Sequence, residues 1–448
     1  MSRERTGYLY WVFPAMLGLA ALEVLTSGRD LTEALSVLEE TAEPVRHPLV
    51  AWVQRGVSLL LILGSIERIA NHFIQRRSLP SAVLAGVFLL YWLTTVAAPA
   101  FLGANPRVSH EYLYPLLLGL AAVLASPLER DRILEATRNG LLVFLLAGLA
   151  LIPLNPTLVL DPSYSQGLFA GVPRFAGLAH HSVGLGMLTQ LLLFILWARP
   201  FTNRWVNRLA WLLALSVLFL AQSKTAWIAF AIGSLCMLIV RRVPDSVDRL
   251  GDPRQSGFAV GVCMAVIALV VLGLFSLLVV DLPAVIAGFF DTSQGAQLVS
   301  MTGRDRIWIV AMEEWQKSPV FGYGLTLWDS LFRASIGMPF ATHAHNQFLD
   351  TLARTGSVGA FGLVVYAAVL LTMSVRYARA TGGLSLAMFA ALALLSISEI
   401  PLMLMGYGVD VFTHLLLVVT LAGSARSQAQ VVPAAAVPPR FHTASRAL

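Results

Sequence analysis

Apolar stretches recur along the whole chain and are separated by shorter polar segments. A membrane-spanning helix needs about 20 mostly apolar residues, and twelve stretches come near this length, several of them on the short side. They lie at approximately 8–26, 48–66, 80–102, 110–126, 139–155, 183–198, 205–222, 224–240, 257–280, 357–375, 382–402 and 406–424. This pattern predicts an all-α polytopic membrane protein with about 12 transmembrane helices in one membrane domain, residues 1–424.

The two ends of the chain have different compositions. The first apolar stretch, from Tyr8 to about Leu25, is longer than the apolar region of about 7–15 residues in a secretory signal peptide, so it is predicted to be the first membrane helix. Residues 425–448 are rich in Ala, Pro, Ser and Val. This composition is typical of disordered segments, and the sequence predicts a disordered cytoplasmic tail.

The overall composition excludes a soluble fold. Hydrophobic residues make up 57% of the chain and charged residues only 12%, whereas soluble domains carry about 25% charged residues. The net charge of +6 first suggests a nucleic-acid partner. However, the arginines lie in short loops between apolar stretches, so we expect contact with membrane lipid and no nucleic-acid partner.

The distribution of basic residues predicts the orientation of the helices. Lysines and arginines concentrate in alternate loops, and cytoplasmic loops of membrane proteins carry this excess. The rule places both termini in the cytoplasm and the long hydrophilic segment 281–356 in the periplasm. Within that segment, Arg304 to Gln316 has apolar residues at near-helical spacing and is followed by Ser318-Pro319. We therefore expect an amphipathic helix there, lying on the membrane surface or on the bundle.

The strongest candidate for chemistry is a polar cluster just before the tenth apolar stretch. It contains His343, His345, Asn346 and Asp350. A histidine beside amide and carboxylate groups has a proton to exchange and partners that fix its tautomer. The alternative interpretation is a polar helix N-terminus whose side chains serve only as caps.

Three further polar segments lie on the predicted outer side. Arg174 precedes His180 and His181, Lys224 follows Ser223 in a short turn, and Arg304 and Arg306 open the amphipathic helix. Cations near membrane depth usually pair with an anion, and two arginines in a first helical turn oppose the helix dipole. These segments are candidate phosphate sites. The alternatives are anchoring at the lipid interface and pairing with Asp305 on a solvated face.

Several motifs are absent from the sequence. It contains no Walker-type Gly-rich loop, no Gly-x-Ser-x-Gly, no Cys-x-x-Cys and no Asp-x-Asp. Chemistry in the periplasm has no ATP to draw on. The substrate must therefore be activated already, or the protein must be a transporter, and no cofactor is predicted.

The cluster at His345 fits a known family signature. His345-Asn346 is followed by nine residues, Gln347 to Thr355, and then by Gly356-Ser-Val-Gly359. This arrangement resembles the hallmark of the O-antigen ligase and polymerase family. The other polar segments resemble further family motifs in the same order, namely Arg174-Phe175-x-Gly177, Ser223-Lys224, Gly303-Arg304-x-x-x-Trp308 and Pro319-x-x-Gly322-x-Gly324. The resemblance covers about 170–405, and Lys224 departs from it because the family often has arginine there.

The resemblance implies an integral-membrane glycosyltransferase of the bacterial inner membrane. Family members resemble enzymes that use undecaprenyl-diphosphate-linked glycans as donors, and a ligase joins O-antigen to lipid A-core at the periplasmic face. We expect the same donor and acceptor here. The alternatives are an O-antigen polymerase, which extends a lipid-linked glycan, a protein-glycosylating ligase, and, from another class, a membrane transporter.

The expected reaction assigns a role to each candidate residue. An acceptor hydroxyl must lose its proton as it attacks, which suits His345 as general base. Cations stabilise the departing diphosphate in the transition state, and the predicted diphosphate-binding residues are Arg174, Lys224, Arg304 and Arg306. The predicted orienting or acceptor-binding residues are His343, Asn346 and His181. Direct attack predicts inversion at the anomeric carbon, and no metal is expected because the arginines already supply positive charge.

Overall fold

The computed structural model describes residues 7–32, 47–162, 171–251, 304–339 and 341–431. These residues are mostly helical. The helices are α1 (Leu9–Thr26), α2 (Pro48–Ile74), α3 (Ala82–Leu102), α4 (Leu113–Val123), α5 (Pro127–Ala150), α6 (Pro156–Val159), α7 (Ser182–Ala198), α8 (Arg204–Leu220), α9 (Lys224–Gly251), α10 (Arg304–Lys317), α11 (Ser330–Ser335), α12 (Gln347–Arg376), α13 (Leu384–Leu395) and α14 (Phe412–Val431). Residues Leu93–Ala97 within α3 are π-helical, and 3₁₀ turns cover His110–Tyr112 and Val409–Val411.

Seven helical segments in the described part of the chain are long and apolar enough to cross a membrane. They are Leu9–Thr26, Pro48–Ile74, Ala82–Leu102, Pro127–Ala150, Lys224–Arg242, Gln347–Arg376 and Val409–Ser427. Helices α7 and α13 are apolar but shorter. The 11-residue α4 is about 16 Å long, roughly half the hydrocarbon thickness. The expected count of about 12 is therefore not confirmed, and the predicted stretch 257–280 lies outside the described residues.

Helix α14 is the centre of the bundle. Residues 412–425 are buried on every side of the helix, which is typical of a helix inside a bundle. Leu416, Leu417, Val418 and Val419 have no exposed surface, and α14 packs against α4, α5 and α13. The helix continues to Val431, beyond residue 424 where the tail was expected to begin. Residues from 432 onward lie outside the described part of the chain.

The predicted amphipathic helix is present as α10. It begins at Arg304 and ends at Lys317, directly before Ser318-Pro319. Its buried residues Ile307 and Ala311 join a small second core with Trp328 and Phe332, and the helix packs against α12. The apolar face of α10 is therefore covered by protein.

Helix α12 is kinked at Gly356, which has φ +64°. A Cβ atom at this position would lie 2.3 Å from the carbonyl carbon of Val320, so only glycine permits the close approach of this segment. The backbone N–H groups of Ser357 and Val358 donate to the carbonyls of Pro319 (2.8 Å) and Val320 (3.2 Å). The kink therefore attaches the segment after α10 to the side of α12.

Two short strands place Arg174. Strand β1 (Leu160–Asp161) pairs antiparallel with β2 (Arg174–Phe175), and Asp161 lies opposite Arg174. Because β2 is followed closely by α7, the strand pair fixes the start of α7 relative to the loop after α5.

Candidate functional site

Two histidines and one glutamate converge at the start of α12. The Nε2 atom of His343 and the Nδ1 atom of His345 each lie 3.6 Å from Oε2 of Glu399. The two imidazole rings are 4.0 Å apart between centroids. All three side chains are partly buried, with 20%, 26% and 23% of their surface exposed. We call His343, His345 and Glu399 the triad.

One hydrogen bond and the position of Glu399 indicate a tautomer for each histidine. The backbone N–H of His345 donates to Nδ1 of His343 at 3.0 Å, so the proton of neutral His343 is on Nε2, which faces Glu399. In His345 the nitrogen that faces Glu399 is Nδ1, so we place the proton there. This assignment leaves the lone pair of His345 on Nε2, where it can accept a proton.

A strained turn presents His345. Its φ of +48° is uncommon for any residue other than glycine, and such strain persists only where surrounding contacts enforce it. Here the N–H of Ala344 donates to Oδ1 of Asp350 at 2.9 Å, and the indole N–H of Trp308 donates to the Ala344 carbonyl at 2.8 Å. Asp350 is itself held by Arg354 at 2.8 Å, and both residues are buried.

Asn346 and Gln347 attach this turn to the loop that carries Glu399. The side-chain oxygen of Asn346 caps α12 by accepting from Leu349 N–H (3.0 Å), and its amide donates to the Ile397 carbonyl (3.3 Å). The backbone N–H of Gln347 donates to the Ser396 carbonyl (2.8 Å). Both polar ends of the Asn346 side chain are thus used inside the protein, which favours the orienting role over acceptor binding.

The electrostatics of the triad keep its glutamate charged. Desolvation opposes ionisation of Glu399, but His345, His343 and Arg304 together lower the pKa of this carboxyl below its ordinary value. The pKa of His343 is lowered to about 4, mainly by burial and in part by the neighbouring His345. At neutral pH, His343 is therefore neutral and the neighbouring Glu399 is ionised.

The two arginines that open α10 lie in different environments. The guanidinium of Arg304 is 4.0 Å from Oε1 of Glu399, and this carboxylate offsets the unfavourable position of a cation at a helix N-terminus. Arg306 is exposed, and no contact of its side chain with the triad is observed among the described residues. Of these two candidates, the structure brings only Arg304 to the histidines.

Arg174 and Lys224 are neighbours across one turn. Arg174 donates through Nε to the Ala221 carbonyl (3.0 Å), and the side chain of Gln222 donates to the Val172 carbonyl (2.9 Å). These bonds hold β2 against the turn that precedes Lys224, the exposed first residue of α9. Arg174 is itself buried, with only 6% of its surface exposed.

His181 links this cationic region to the triad. It caps α7 by accepting the N–H of Val183 on Nδ1 (3.2 Å). Desolvation lowers the pKa of His181, Arg174 lowers it further, and Glu399 opposes both effects. His181 therefore lies within electrostatic reach of both Arg174 and Glu399. The adjacent His180 points elsewhere and pairs with Glu23 (3.0 Å).

Arg29 is a residue that the sequence interpretation missed. Its guanidinium donates to the carbonyls of Leu158, Gly177, Ala179 and His180 over 2.5–3.1 Å. Burial lowers the pKa of Arg29 to about 10. Arg29 thus fixes the loop between β2 and α7, and nothing in its local sequence signals this role.

The triad also has the composition of a metal site. One ligand atom from each of His343, His345 and Glu399 lies within 4.8 Å of the others, and three protein ligands plus water is a known zinc arrangement. Neither His180 nor His181 joins this group among the described residues. In the tautomers assigned above, both nitrogens that face Glu399 carry protons, so they cannot act as metal ligands without losing them.

Glu399 is the central residue that sequence reasoning missed. The chain offered a signal, since an acidic residue within an otherwise apolar stretch such as 382–402 is expensive and is usually functional. In the structure, Glu399 lies after the end of α13 at Leu395, where partial exposure and three cationic or hydrogen-bonding neighbours reduce that cost.

The fold and the site together define a multi-pass helical membrane protein with acid–base and cationic side chains gathered at one end of its bundle. A family model described as O-antigen ligase matches residues 209–364. This match supports an O-antigen ligase assignment for that part of the chain. The matched segment contains Lys224, Arg304 and His345, whereas Arg174, His181 and Glu399 lie outside it. A comparison with curated proteins found no match.

Proposed function

We propose that the protein is an O-antigen ligase of the bacterial inner membrane. It transfers the glycan from undecaprenyl diphosphate to a sugar hydroxyl of lipid A-core at the periplasmic face. The observation that carries this proposal is the triad, in which an ionised Glu399 lies beside His345 with Arg304 on its other side. This arrangement combines a general base with a cation in one place, as transfer from a lipid diphosphate requires.

His345 acts as the general base. As the acceptor oxygen forms a bond to the anomeric carbon, its proton moves to Nε2 of His345 and the bond from that carbon to the diphosphate oxygen breaks. The carbon is inverted and undecaprenyl diphosphate leaves. Positioned proton transfer of this kind contributes about 10²–10⁴-fold to a rate. His343 does not suit this role, because its Nδ1 is occupied by a backbone N–H and its pKa is about 4.

Glu399 prepares His345 for this task. A carboxylate on the Nδ1 side holds the imidazole in the tautomer that leaves Nε2 free, and it stabilises the imidazolium that forms as the proton arrives. The 3.6 Å separation is long for a hydrogen bond, but such contacts often tighten when substrate binds. Glu399 is therefore a positioning residue, and it also pairs with the guanidinium of Arg304.

The cationic residues stabilise the leaving group. Negative charge grows on the diphosphate as the glycosidic bond breaks, so cations that face it favour the transition state over the ground state. The proposed cations that bind the diphosphate are Arg304 beside the triad, Arg174 and Lys224 at the turn before α9, and Arg306. Because His181 lies within electrostatic reach of Arg174 and Glu399, it is placed to orient the substrates between them.

Deletion of the gene tests the proposal directly. A ligase mutant is expected to make bare lipid A-core and to retain long O-antigen on the lipid carrier, as seen by gel electrophoresis of lipopolysaccharide and analysis of lipid-linked glycans. The wild-type gene restores ligation, and the His345→Ala gene does not. Core capped with a single repeat unit would instead identify a polymerase, and unchanged lipopolysaccharide would reject both activities.

Lysine is expected to replace the two site arginines poorly. If Arg174 and Arg304 grip phosphate oxygens with a planar fork, lysine keeps the charge but loses one of the paired hydrogen bonds. Arg174→Lys and Arg304→Lys should each lower kcat/KM for the donor by about tenfold or more, since a charged hydrogen bond contributes about 1.5–3 kcal/mol. The KM for the acceptor should change little.

Arg208→Lys is the matched control for these variants. Arg208 is exposed and lies over the ring of Trp205, away from the site. Full donor use by both Arg174→Lys and Arg304→Lys would reduce the two arginines to structural anchors.

The reaction is expected to proceed without a metal ion. In the assigned tautomers, the nitrogens of His343 and His345 that face Glu399 carry protons and offer no lone pair to a metal, and the arginines neutralise the diphosphate directly. Purified protein in excess chelator should therefore transfer glycan at an unchanged rate, measured with saturating donor and acceptor. Loss of activity under chelation, with recovery on adding one divalent ion, would make the triad a metal site and contradict the base mechanism.

A further inference from the structure

A cavity lies at the same end of the bundle as the triad. It has a volume of about 750 Å³ and is formed by the end of α1, the first half of α2, the turn before α4 and the segment 405–410. Binding sites for small molecules typically range over about 300–1,000 Å³. The cavity, which we call the acidic cleft, is therefore large enough for a sugar-sized ligand.

The lining of the acidic cleft has a marked charge. Three carboxylates, from Glu23, Glu111 and Asp410, face it together with the single arginine Arg55. Glu111 and Asp410 are exposed at its surface. The resulting negative potential disfavours the binding of a diphosphate. Ionised carboxylates do, however, accept strong hydrogen bonds from hydroxyl groups.

An aromatic wall completes the acidic cleft. The ring of Tyr114 packs edge-on against Tyr407 (5.4 Å between centroids) and against His110 (5.8 Å). The ring of Tyr407 is held in place by its hydroxyl, which donates to the Gln54 carbonyl at 3.0 Å. Aromatic faces beside a few placed polar groups are typical of sites that bind ligands with one apolar face and several hydroxyls.

The acidic cleft is joined to the triad through shared neighbours. His180 lines the cleft and pairs with Glu23 at 3.0 Å, while the adjacent His181 interacts with Arg174 and Glu399. Asp410 lies within electrostatic reach of both His180 and Glu399. Glu399 therefore lies within electrostatic reach of two regions of opposite charge, a cationic one with Arg174 and Arg304 and the anionic cleft.

We propose that the acidic cleft binds the uncharged terminal sugar of the acceptor, while the cationic region holds the donor diphosphate. This inference rests on the proposed function. Charge separation of this kind sorts the two substrates, because the diphosphate is repelled from the cleft and the hydroxyl-rich sugar is not. The acceptor hydroxyl then approaches His345 from the side opposite to the leaving group, as inversion requires.

The test is the kinetics of purified protein in lipid nanodiscs, with purified lipid A-core and lipid-diphosphate-linked glycan varied in turn. The double variant Glu111→Gln/Asp410→Asn should raise the KM for lipid A-core by about tenfold or more, because each charged hydrogen bond to a ligand is a strong one. The donor KM and the saturated rate should not change. Glu67→Gln, an exposed carboxylate farther along α2, is the control and should match wild type.

A rise in the donor KM alone, or an unchanged acceptor KM in the double variant, would overturn the acceptor assignment. The single variant Glu111→Gln changes one exposed group and provides the same readout if the double variant is unstable. Binding of fluorescent lipid A-core to His345→Ala separates this inference from the mechanism. Retained binding that is lost on adding Glu111→Gln/Asp410→Asn supports the cleft whether or not His345 is the base.

Discussion

Replacement of His345 by alanine is expected to abolish most glycan transfer while the protein still inserts and folds. General base catalysis contributes about 10²–10⁴-fold, and the remaining cations and binding contacts leave only a residual rate. The loss should appear in kcat rather than in either KM, because His345 acts on the proton in the transition state. The measurement is the initial rate of transfer by purified protein at saturating donor and acceptor.

His47→Asn is the matched control for this variant. His47 accepts the Leu49 N–H at the start of α2, and asparagine preserves such a cap, so transfer should equal that of wild type. Elution volume and thermal unfolding show whether each variant is folded. A near wild-type rate in folded His345→Ala would place the base elsewhere.

Glu399→Gln is expected to have the second largest effect, a fall in kcat of about 10² or more, since it removes the charge that favours the imidazolium. Glutamine has nearly the same shape, so the turn 396–402 should keep its contacts with Asn346 and Gln347. Its amide can also donate to His345 Nδ1, which would move the imidazole proton to Nε2 and occupy the base.

The pH profile distinguishes this role from a structural one. In wild type, the pKa of Glu399 is lowered by His345, His343 and Arg304, so the carboxylate remains ionised throughout the neutral range. In Glu399→Gln, the acidic limb of the kcat profile should shift to lower pH, because the imidazolium form of His345 loses the negative charge that stabilises it. Glu313→Gln, an exposed carboxylate on α10, should leave the profile unchanged. An unshifted acidic limb in Glu399→Gln would contradict the role of Glu399 as the partner of His345.

Local patterns were sufficient for much of the fold. Helix α10 was predicted at Arg304 to Gln316 and runs to Lys317, because a helix of this kind is specified by apolar periodicity and by the Ser318-Pro319 stop. The helix count was less predictable. Hydropathy does not distinguish a spanning helix from the 11-residue α4, since both are apolar and only the turn at residues 124–126 separates α4 from α5.

Only the site residues that belong to a continuous sequence motif could be predicted. The spacing of His345, Asn346 and Gly356 is a property of one continuous segment, so the sequence could indicate it. Glu399 is 54 residues after His345 in the chain. It is brought to the histidines by tertiary contacts, among them the bonds of Asn346 and Gln347 to the backbone of residues 396, 397 and 402. The burial of Arg174 likewise depends on its contact with Ala221 in a distant turn.

By itself, the sequence determined that the protein is a helical membrane protein, that its polar clusters fall in a few segments, and that those segments resemble one family. Composition and periodicity are local quantities, and they decide which solvent each residue prefers. The tertiary structure alone decided which clusters meet. Helix packing joins His343 and His345 to Glu399, ties Arg174 to the turn before Lys224, leaves Arg306 exposed, and opens the acidic cleft beside them. These outcomes depend on contacts between residues far apart in the chain, which no local pattern encodes.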